Sequence, residues 1–435
     1  MDMKLILKMV FPMFLSTAIN FILSFIDTMI VGHLGIEELG ATAAGSSLYS
    51  IYVQVVGALI IGFQVLGAQE IVKKGKNRLT DYFQTTLFLM YIISIIFIFI
   101  SLIFSKQLLW MFSTPSIIAG AQTYFFARLP ALLILPLSIC IKTEYDIQKK
   151  TKIGLYYTIV VVLTDIILDV VLIYIVHLGV FGAGLSDTLA MFIGLIFLLM
   201  RNNQDGIVKF QHFIKLKKIE RKLISELNEL NLPEVVNMLL DYLGTSVLFI
   251  IISRISVLDI AAGRISSIYI KIIFSLAINI GTVVQILLVR NALEMQSKKY
   301  IMNAFKLSAI ILVPFTVVAI VVPQLFIIPF TNNISLIKLF NSPMRLLWFV
   351  LLLVPAITIM TGILRSKKRN KENMYVNVFS TWLLQVPAAF IFCIILKIGI
   401  WGFVLSYLCY FLGRIVGNLF FLIKESRGRT NEVLE

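Results

Sequence analysis

Residues 153–177, IGLYYTIVVVLTDIILDVVLIYIVH, place two carboxylates, Asp165 and Asp169, inside an otherwise apolar run. A helix of this length would cross the roughly 30 Å of hydrocarbon in a lipid bilayer. The two aspartates are four residues apart, so they would share one face of that helix. A charged side chain at membrane depth costs roughly 2.5–3.5 kcal/mol on insertion scales, so carboxylates there indicate a site or pathway for an ion, proton or substrate.

The apolar character of this run extends along the whole chain. Of its 435 residues, 59% are hydrophobic and 14% are charged, and the mean hydropathy is +0.95. Strands of a membrane barrel would alternate polar and apolar residues, which these runs do not. We predict an all-α integral membrane protein with twelve transmembrane helices in two pseudo-symmetric six-helix bundles. The predicted spans are residues 8–31, 42–71, 80–105, 121–146, 153–177, 181–201, 230–254, 260–290, 303–329, 343–365, 373–396 and 399–424.

The net charge of +15 comes from basic residues whose placement indicates a membrane topology rather than a nucleic-acid-binding surface. Lys and Arg cluster in every second loop, at 73–78, 142–152, 201–222, 290–306 and 365–371, and the opposite loops carry few basic residues. This positive-inside pattern predicts a multi-pass protein of the cell (plasma or inner) membrane with both termini in the cytoplasm. Contact of the basic loops with anionic lipid headgroups is a smaller additional possibility. No nucleic-acid partner is expected.

The longest hydrophilic stretch divides the chain into similar halves. We predict an N-terminal six-helix bundle at 1–200, a cytoplasmic amphipathic connector at 201–229 and a C-terminal six-helix bundle at 230–435. FPMF at 11–14 is echoed by LPEV at 232–235, and ATAAGSSLY at 41–49 by AAGRISSIY at 261–269. Both echoes have nearly the same offset, which favours a duplication over chance likeness. Duplicated bundles with substrate bound between the halves are a recurrent transporter design.

Acidic residues inside the predicted spans are the candidate site. Asp27, Asp165, Asp169 and Asp187 fall in the outer or middle part of the first half, and Met191 shares a helix face with Asp187. Converging carboxylates repel one another, so such a cluster would take up a proton or Na⁺ and release it when its hydration changes. The alternative for Asp27 and Asp187 is a helix-end residue that solvent wets.

Three further charged residues lie within the spans of the predicted helices. Asp241, near the middle of the seventh span, predicts a second cation or substrate site, with a structural hydrogen bond between helices as the alternative. Arg128 lies near the outer end of the fourth span and is expected to reach towards the membrane surface. Lys271 is a candidate counterion. No cofactor is expected besides the transported H⁺ or Na⁺, and a monomer is expected.

Several motifs together resemble the multidrug and toxic compound extrusion (MATE) family over nearly the whole chain. Pro12 is followed by FIDTMIVGHLG at 25–35 and GATAAG at 40–45, and GFQVLGAQE at 62–70 resembles the close of the family's second span. The segments LTDIILDVVLIY at 163–174 and LGVFGAGLSD at 178–187 are similar to its signature for spans five and six. GILR at 362–365 and Trp382–Pro387 are similar to its spans ten and eleven.

The resemblance implies an antiporter that expels amphipathic, often cationic, organic compounds in exchange for H⁺ or Na⁺. It implies that Asp27 and Asp169 occupy acidic positions of the family, that Asp165 and Asp187 stand where asparagine and threonine are frequent, and that Met191 lines the cavity. A Na⁺ site at Asp27, Asp165, Asp169 and Asp187 is therefore possible. Asp241 matches an acidic residue of a second-half cation site, whereas Val354 stands near the place of that site's other aspartate.

These observations favour a secondary active exporter of small organic molecules that works by alternating access. The main alternative is a flippase for lipid-linked saccharides, which shares this architecture but would need a cationic cavity for the pyrophosphate. An intramembrane enzyme is disfavoured, because no His or Ser constellation accompanies Asp165 and Asp169. A passive channel is a further alternative.

Overall fold

The computed structural model describes residues 2–73, 76–112, 115–205, 220–290, 294–330 and 333–432. These residues form helices and turns, with no β-strand among them, so the all-α prediction is confirmed. The chain divides into two compact units, Phe11–Leu232 and Met1–Val10 together with Pro233–Glu435.

The first part of the chain consists of helices separated by short breaks. Its elements are α1 (Asp2–Gly32), α2 (Ile36–Ala58), α3 (Ile60–Val72), α4 (Lys76–Trp110), α5 (Ile118–Arg128), α6 (Ala131–Ile147), α7 (Lys152–Asp169), the π-helical segment π1 (Val170–Ile175) and α8 (Gly179–Asp205). The axes of α5 and α6 differ by 45°. Pro130 stands between them, and it interrupts the helical hydrogen bonds at the bend because proline has no N–H to donate to the preceding turn.

The second part repeats this arrangement with additional breaks. Its elements are α9 (Arg221–Ser253), α10 (Val257–Arg290), α11 (Glu294–Val321), two 3₁₀ turns (Pro323–Phe326 and Ile328–Phe330), α12 (Ile334–Leu351), α13 (Val354–Ser366), α14 (Asn370–Phe379), π2 (Ser380–Gln385), α15 (Val386–Ala389), π3 (Phe390–Ile395) and α16 (Ile400–Glu432). Of the predicted connector 201–229, residues 206–219 lie outside the described residues. The remainder ends α8 and begins α9, so the connector stays a prediction.

The helices have the length and composition of membrane spans. In the described part of the chain, eleven are long and apolar enough to cross a bilayer, and twelve are if the bent pair α5–α6 is one span. The predicted span 121–146 corresponds to that bent pair, and the twelve predicted spans each overlap one of these segments. Large apolar side chains such as Phe99, Leu383 and Val416 are exposed on the helices. The chain is therefore a multi-pass membrane protein.

The backbone of the first half repeats itself in the second half. Besides Gly35, three positions of the first half have positive φ, and each of the three has a counterpart in the second half: Lys149 and Lys368 (67° and 61°), His177 and Lys397 (61° and 52°), and Gly179 and Gly399 (54° and 58°). The segments π1 and π3 precede the last two of these pairs. Residues other than glycine seldom adopt positive φ, so the repetition at equivalent places supports a duplicated helical unit.

The segment π2 marks a difference between the halves. The offset from His177 to Lys397 is longer by a single position than the offset from Lys149 to Lys368. The second half therefore has an extra residue between these points, and a π-helical turn accommodates such a residue because its hydrogen bonds run from i to i+5. The corresponding part of the first half is ordinary α-helix within α7.

Backbone contact between two glycines holds α10 against α13. A Cβ atom on Gly281 would lie 2.4 Å from the carbonyl oxygen of Thr358, and one on Gly362 would lie 2.3 Å from the carbonyl oxygen of Gly281. Small residues allow membrane helices to approach this closely. The helices that carry Lys271 and Arg365 are thereby fixed to each other.

Candidate functional site

Asp165 and Asp169 are buried at the end of α7, directly before π1. Their side chains are 2% and 3% exposed. Asp169 accepts a short hydrogen bond from the Ser186 hydroxyl of α8. The Oδ1 atom of Asp165 has no hydrogen-bond partner among the described residues. The two carboxylates on one helix face thus differ: one is anchored, and the other retains a free acceptor.

Asp187 on α8 is held by a cation. Its Oδ2 atom lies 2.6 Å from Nη1 of Arg128 and accepts a hydrogen bond of 2.9 Å from the Tyr124 hydroxyl. The Arg128 guanidinium also donates to that hydroxyl and lies 4.7 Å from the centre of the Tyr49 ring. The expectation that Arg128 reaches towards the membrane surface is therefore wrong. A buried carboxylate and an aromatic face stabilise the cation inside the unit.

Asp27 and Met191 complete the predicted set in this unit. Asp27 is half-buried on α1, and its Oδ1 atom has no hydrogen-bond partner among the described residues. Met191 has its sulfur 4.0 Å from the Tyr49 hydroxyl. Asp165 interacts electrostatically with Asp27, Asp169 and Asp187, and also with Arg128. The four aspartates predicted from sequence therefore form one electrostatic group.

The chemistry available to this group follows from its charge and its unpaired atoms. Four carboxylates face one guanidinium, so the group can bind additional positive charge. Free acceptors at Asp27 and Asp165 can receive a proton or contact a cation. Among the residues that the structure describes, no three His, Cys, Asp or Glu side chains form a cluster that would hold a metal ion. The Na⁺ site at the four aspartates stays a prediction.

Asp241 lies in a hydrogen-bonded cluster of the second unit. The side-chain amide of Asn377 donates to Asp241 and to Asn237, at 2.5 Å in each case. The Tyr410 hydroxyl donates to the side-chain Oδ1 atom of Asn377 at 2.8 Å. Asn377 lies shortly before π2, the segment with no counterpart in the first unit. The polar contacts of Asp241 therefore involve a part of the fold in which the two halves differ.

Two cavities meet at Asp241. The first, of about 170 Å³, is also lined by Glu234, Arg365 and Arg414. The second, of about 200 Å³, is also lined by Lys271, the residue suggested as a counterion. Glu234 forms a two-pronged ion pair with Arg365, at 2.8 Å to Nε and 2.6 Å to Nη2. This unit therefore has acidic and basic groups around a shared internal space.

Sequence reasoning missed four residues of these clusters: Tyr124, Ser186, Asn377 and Arg414. A signal for Arg414 was available, because it is a charged residue in the middle of the predicted span 399–424. Tyr124, Ser186 and Asn377 are ordinary polar residues of membrane helices, and their roles depend on which helix lies opposite. Val354, near the place of the missing second-half aspartate, is fully buried.

Many secondary transporters are built from duplicated helical bundles, and charged residues buried in membrane helices mark their ion and substrate sites. The chain belongs to the MatE family, whose model matches residues 12–171 and again residues 233–391. The two matches are nearly equal in length, and their offset agrees with the repeat in the backbone. The chain is a transporter and not an enzyme, and its family implies small-molecule substrates.

Known proteins resemble the chain over almost its full length. The probable multidrug resistance protein NorM of Photorhabdus laumondii is 24% identical over 428 residues, covering 92% of this chain and 91% of that protein. The protein of the same name from Streptococcus pneumoniae is 21% identical over 415 residues, covering 92% and 90%. A crystal structure of MATE in the bent conformation has a TM-score of 0.88 at 18% identity, covering 100% and 98%. The flippase alternative is accordingly not favoured.

Proposed function

We propose that this MatE-family transporter exports amphipathic, cationic organic compounds by alternating access, in exchange for inward movement of H⁺ or Na⁺. The observation that carries the proposal is Asp165, a nearly fully buried carboxylate with an unpartnered oxygen in an apolar helix. A buried carboxylate without a partner is costly, and a visiting proton or cation removes that cost.

The four aspartates of the first unit would have different roles. Arg128 already neutralises Asp187, so the exchangeable charge would reside on Asp27, Asp165 and Asp169. Ser186 anchors Asp169 and would keep it in place while the coupling ion exchanges. Asp165 and Asp27 have free oxygens and would receive the proton or Na⁺. An organic cation would compete for the same negative charge, with Met191 as an adaptable wall.

Competition for one group of carboxylates provides a mechanism for exchange. When H⁺ or Na⁺ binds, the excess negative charge falls and the organic cation loses its electrostatic attraction. When the ion leaves, that attraction returns. The coupling ion and the organic cation would therefore occupy the carboxylates of the first unit in turn. Such alternation gives antiport when these carboxylates are exposed first to one side of the membrane and then to the other.

Asp241 would be a second cation site. It borders two cavities, and its hydrogen bond from Asn377 would hold the carboxylate in a fixed orientation. The topology that accompanies this proposal has both termini in the cytoplasm, in the cell membrane, because the basic residues cluster in alternate loops. A single chain would suffice, since each group described above lies within one unit.

Transport by membrane vesicles tests the proposal. Purified full-length protein is reconstituted, and movement of the fluorescent cation ethidium is followed with a pH gradient and a Na⁺ gradient imposed separately. We expect one of the gradients to drive transport in the native protein, and Asp165→Asn to abolish that dependence. Asp205→Asn is the matched control, because Asp205 forms ion pairs with Lys150 and Arg201 at the end of α8. Gradient-driven transport that is unchanged in Asp165→Asn would contradict the proposal.

A further inference from the structure

Arg414 is a buried cation whose described contacts are with neutral groups. It is 6% exposed on α16. Its Nη2 atom donates to Thr361 Oγ1 at 3.2 Å and to Asn373 Oδ1 at 3.4 Å, and its guanidinium carbon lies 5.9 Å from the centre of the Tyr410 ring. Its Nε atom has no hydrogen-bond partner among the described residues. A charged donor is therefore left over inside the protein.

Such an arrangement is costly unless something else supplies negative charge. A guanidinium keeps its charge at any accessible pH, so it cannot reduce the cost by losing a proton. Buried arginines are therefore normally paired with a carboxylate or phosphate. Arg365, in the same cavity, follows that rule through its two hydrogen bonds to Glu234. In the described part of the chain no carboxylate is within ion-pair distance of Arg414.

The space beside Arg414 is large enough for a ligand group. The cavity that it lines with Asn237, Asp241 and Tyr410 measures about 170 Å³. A cavity that holds a single water molecule needs only about 10–15 Å³. A carboxylate group and its neighbouring atoms can therefore be accommodated without displacing the wall.

The polarity of the cavity distinguishes between kinds of ligand. Arg414 and Asp241 interact electrostatically, and both line the cavity, although they form no direct ion pair among the described contacts. Glu234 and Arg365 neutralise each other. One positive group and one negative group that form no direct ion pair thus border the same space, which is complementary to a molecule that has both charges.

We propose that this cavity of the second unit binds the charged end of an organic zwitterion, with the ligand carboxylate at Arg414 and its ammonium group at Asp241. The proposal deepens the proposed export function, on which it rests, because it assigns the two charged groups of such a ligand to particular side chains of the second unit. The fork of donors on a guanidinium recognises a planar carboxylate. An ester of the same molecule would keep the ammonium contact and lose the carboxylate contact.

Equilibrium binding to the full-length protein in detergent tests this assignment without any ion gradient. The probes are Nε-dansyl-lysine, which has an ammonium and a carboxylate, and its methyl ester, which has the ammonium alone. Both are measured at pH 6, because the amine of the ester loses its proton more readily than that of the zwitterion. Fluorescence titration gives both dissociation constants. We expect the zwitterion to bind about tenfold or more tightly than the ester, the order of magnitude for one charge-assisted hydrogen-bonded pair.

Three variants identify the group responsible. Arg414→Gln should remove the preference for the zwitterion and leave the binding of the ester unchanged, whereas Arg414→Lys should retain part of it. Arg369→Gln is the control, because Arg369 pairs with Glu372 and does not line the cavity. An equal loss of both probes in Arg414→Gln, with no recovery in Arg414→Lys, would mean a structural role and would overturn the proposal.

Competition with chloride tests whether a small inorganic anion, rather than a zwitterion, binds at Arg414. If native protein binds the two probes equally and chloride alone binds in a manner that requires Arg414, the cavity is a small-anion site and the zwitterion proposal is wrong. Failure of this proposal leaves ethidium transport and its dependence on Asp165 untouched. Failure of the ethidium experiment in turn leaves the preference for the zwitterion measurable.

Discussion

Replacing Asp187 by Asn should destabilise the protein more than replacing Arg128 by Gln, and replacing both should restore much of the loss. The reason is that each substitution leaves a different partner of the ion pair in the folded protein. The Asp187→Asn variant retains a buried guanidinium that stays charged. The Arg128→Gln variant retains a buried carboxylate that can take up a proton. The variant with both changes retains no charge of the pair.

The magnitude follows from the geometry. The two side chains are 22% and 15% exposed, and their nearest N and O atoms are 2.6 Å apart. For charge centres about 4 Å apart, an effective dielectric constant of about 20 gives roughly 4 kcal/mol. Loss of one partner of a buried pair costs about 3–5 kcal/mol. We expect that loss for Asp187→Asn at all accessible pH values, and about 1–2 kcal/mol for the double variant, where neutral hydrogen bonds replace the ion pair.

The pH dependence of Arg128→Gln is the sharper part of the prediction. In this variant the folded protein would bind a proton at Asp187 that the unfolded chain releases, so its stability should fall as pH rises. Unfolding in mixed SDS and detergent micelles, followed by circular dichroism at pH 5 and pH 8, measures each free energy. Equal losses for both single variants at both pH values, or additive losses in the double variant, would refute the reasoning.

Three changes in the second unit, with Gly57→Ala in the first unit as a comparison, are tested by the same unfolding measurement. Gly281→Ala should destabilise by about 1–3 kcal/mol, because its Cβ would meet a carbonyl oxygen at 2.4 Å, whereas Gly57→Ala, with nothing within 4 Å, should stabilise by about 0.5–1 kcal/mol. A destabilised Gly57→Ala would undermine the comparison. Asp259→Ala should cost about 1–2 kcal/mol, because Asp259 accepts the first backbone N–H of α16 at 2.7 Å, and an unchanged stability would show that water replaces this cap. Glu234→Gln should cost about 3–5 kcal/mol by leaving Arg365 unpaired, and a loss below about 1 kcal/mol would show that another anion pairs with it.

The fold was predictable from sequence because membrane insertion restricts the choices. An apolar run of sufficient length has to be a helix, since its backbone groups find no other partners in lipid. The number of spans and the repeat between the halves followed from such runs. The bend between α5 and α6 left a signal in Pro130. The segments π1, π2 and π3 left none, because hydropathy does not distinguish a π-helical turn from an α-helical one.

The residues of the candidate site were predictable from sequence, whereas the ion pair that one of them forms was not. Carboxylates in apolar runs are conspicuous, so Asp27, Asp165 and Asp169 could be selected without a structure. Which of the aspartates has a cation beside it depends on tertiary contact. Arg128 and Asp187 are far apart in the sequence, and only the packing of α5 against α8 brings the two side chains together.

The duplication retains the backbone and replaces the charges. With the offset that relates His177 to Lys397, Asp165 corresponds to Gln385, and Asp187 to Tyr407. The positive-φ positions are kept in both halves, as are the π-helical segments π1 and π3. If the two proposals above hold, the helix ends serve the fold and the charges serve each unit's own ligand. The first unit, with an excess of carboxylates, is suited to a cation. The second, where Arg414 and Asp241 border one cavity, is suited to a ligand with both charges.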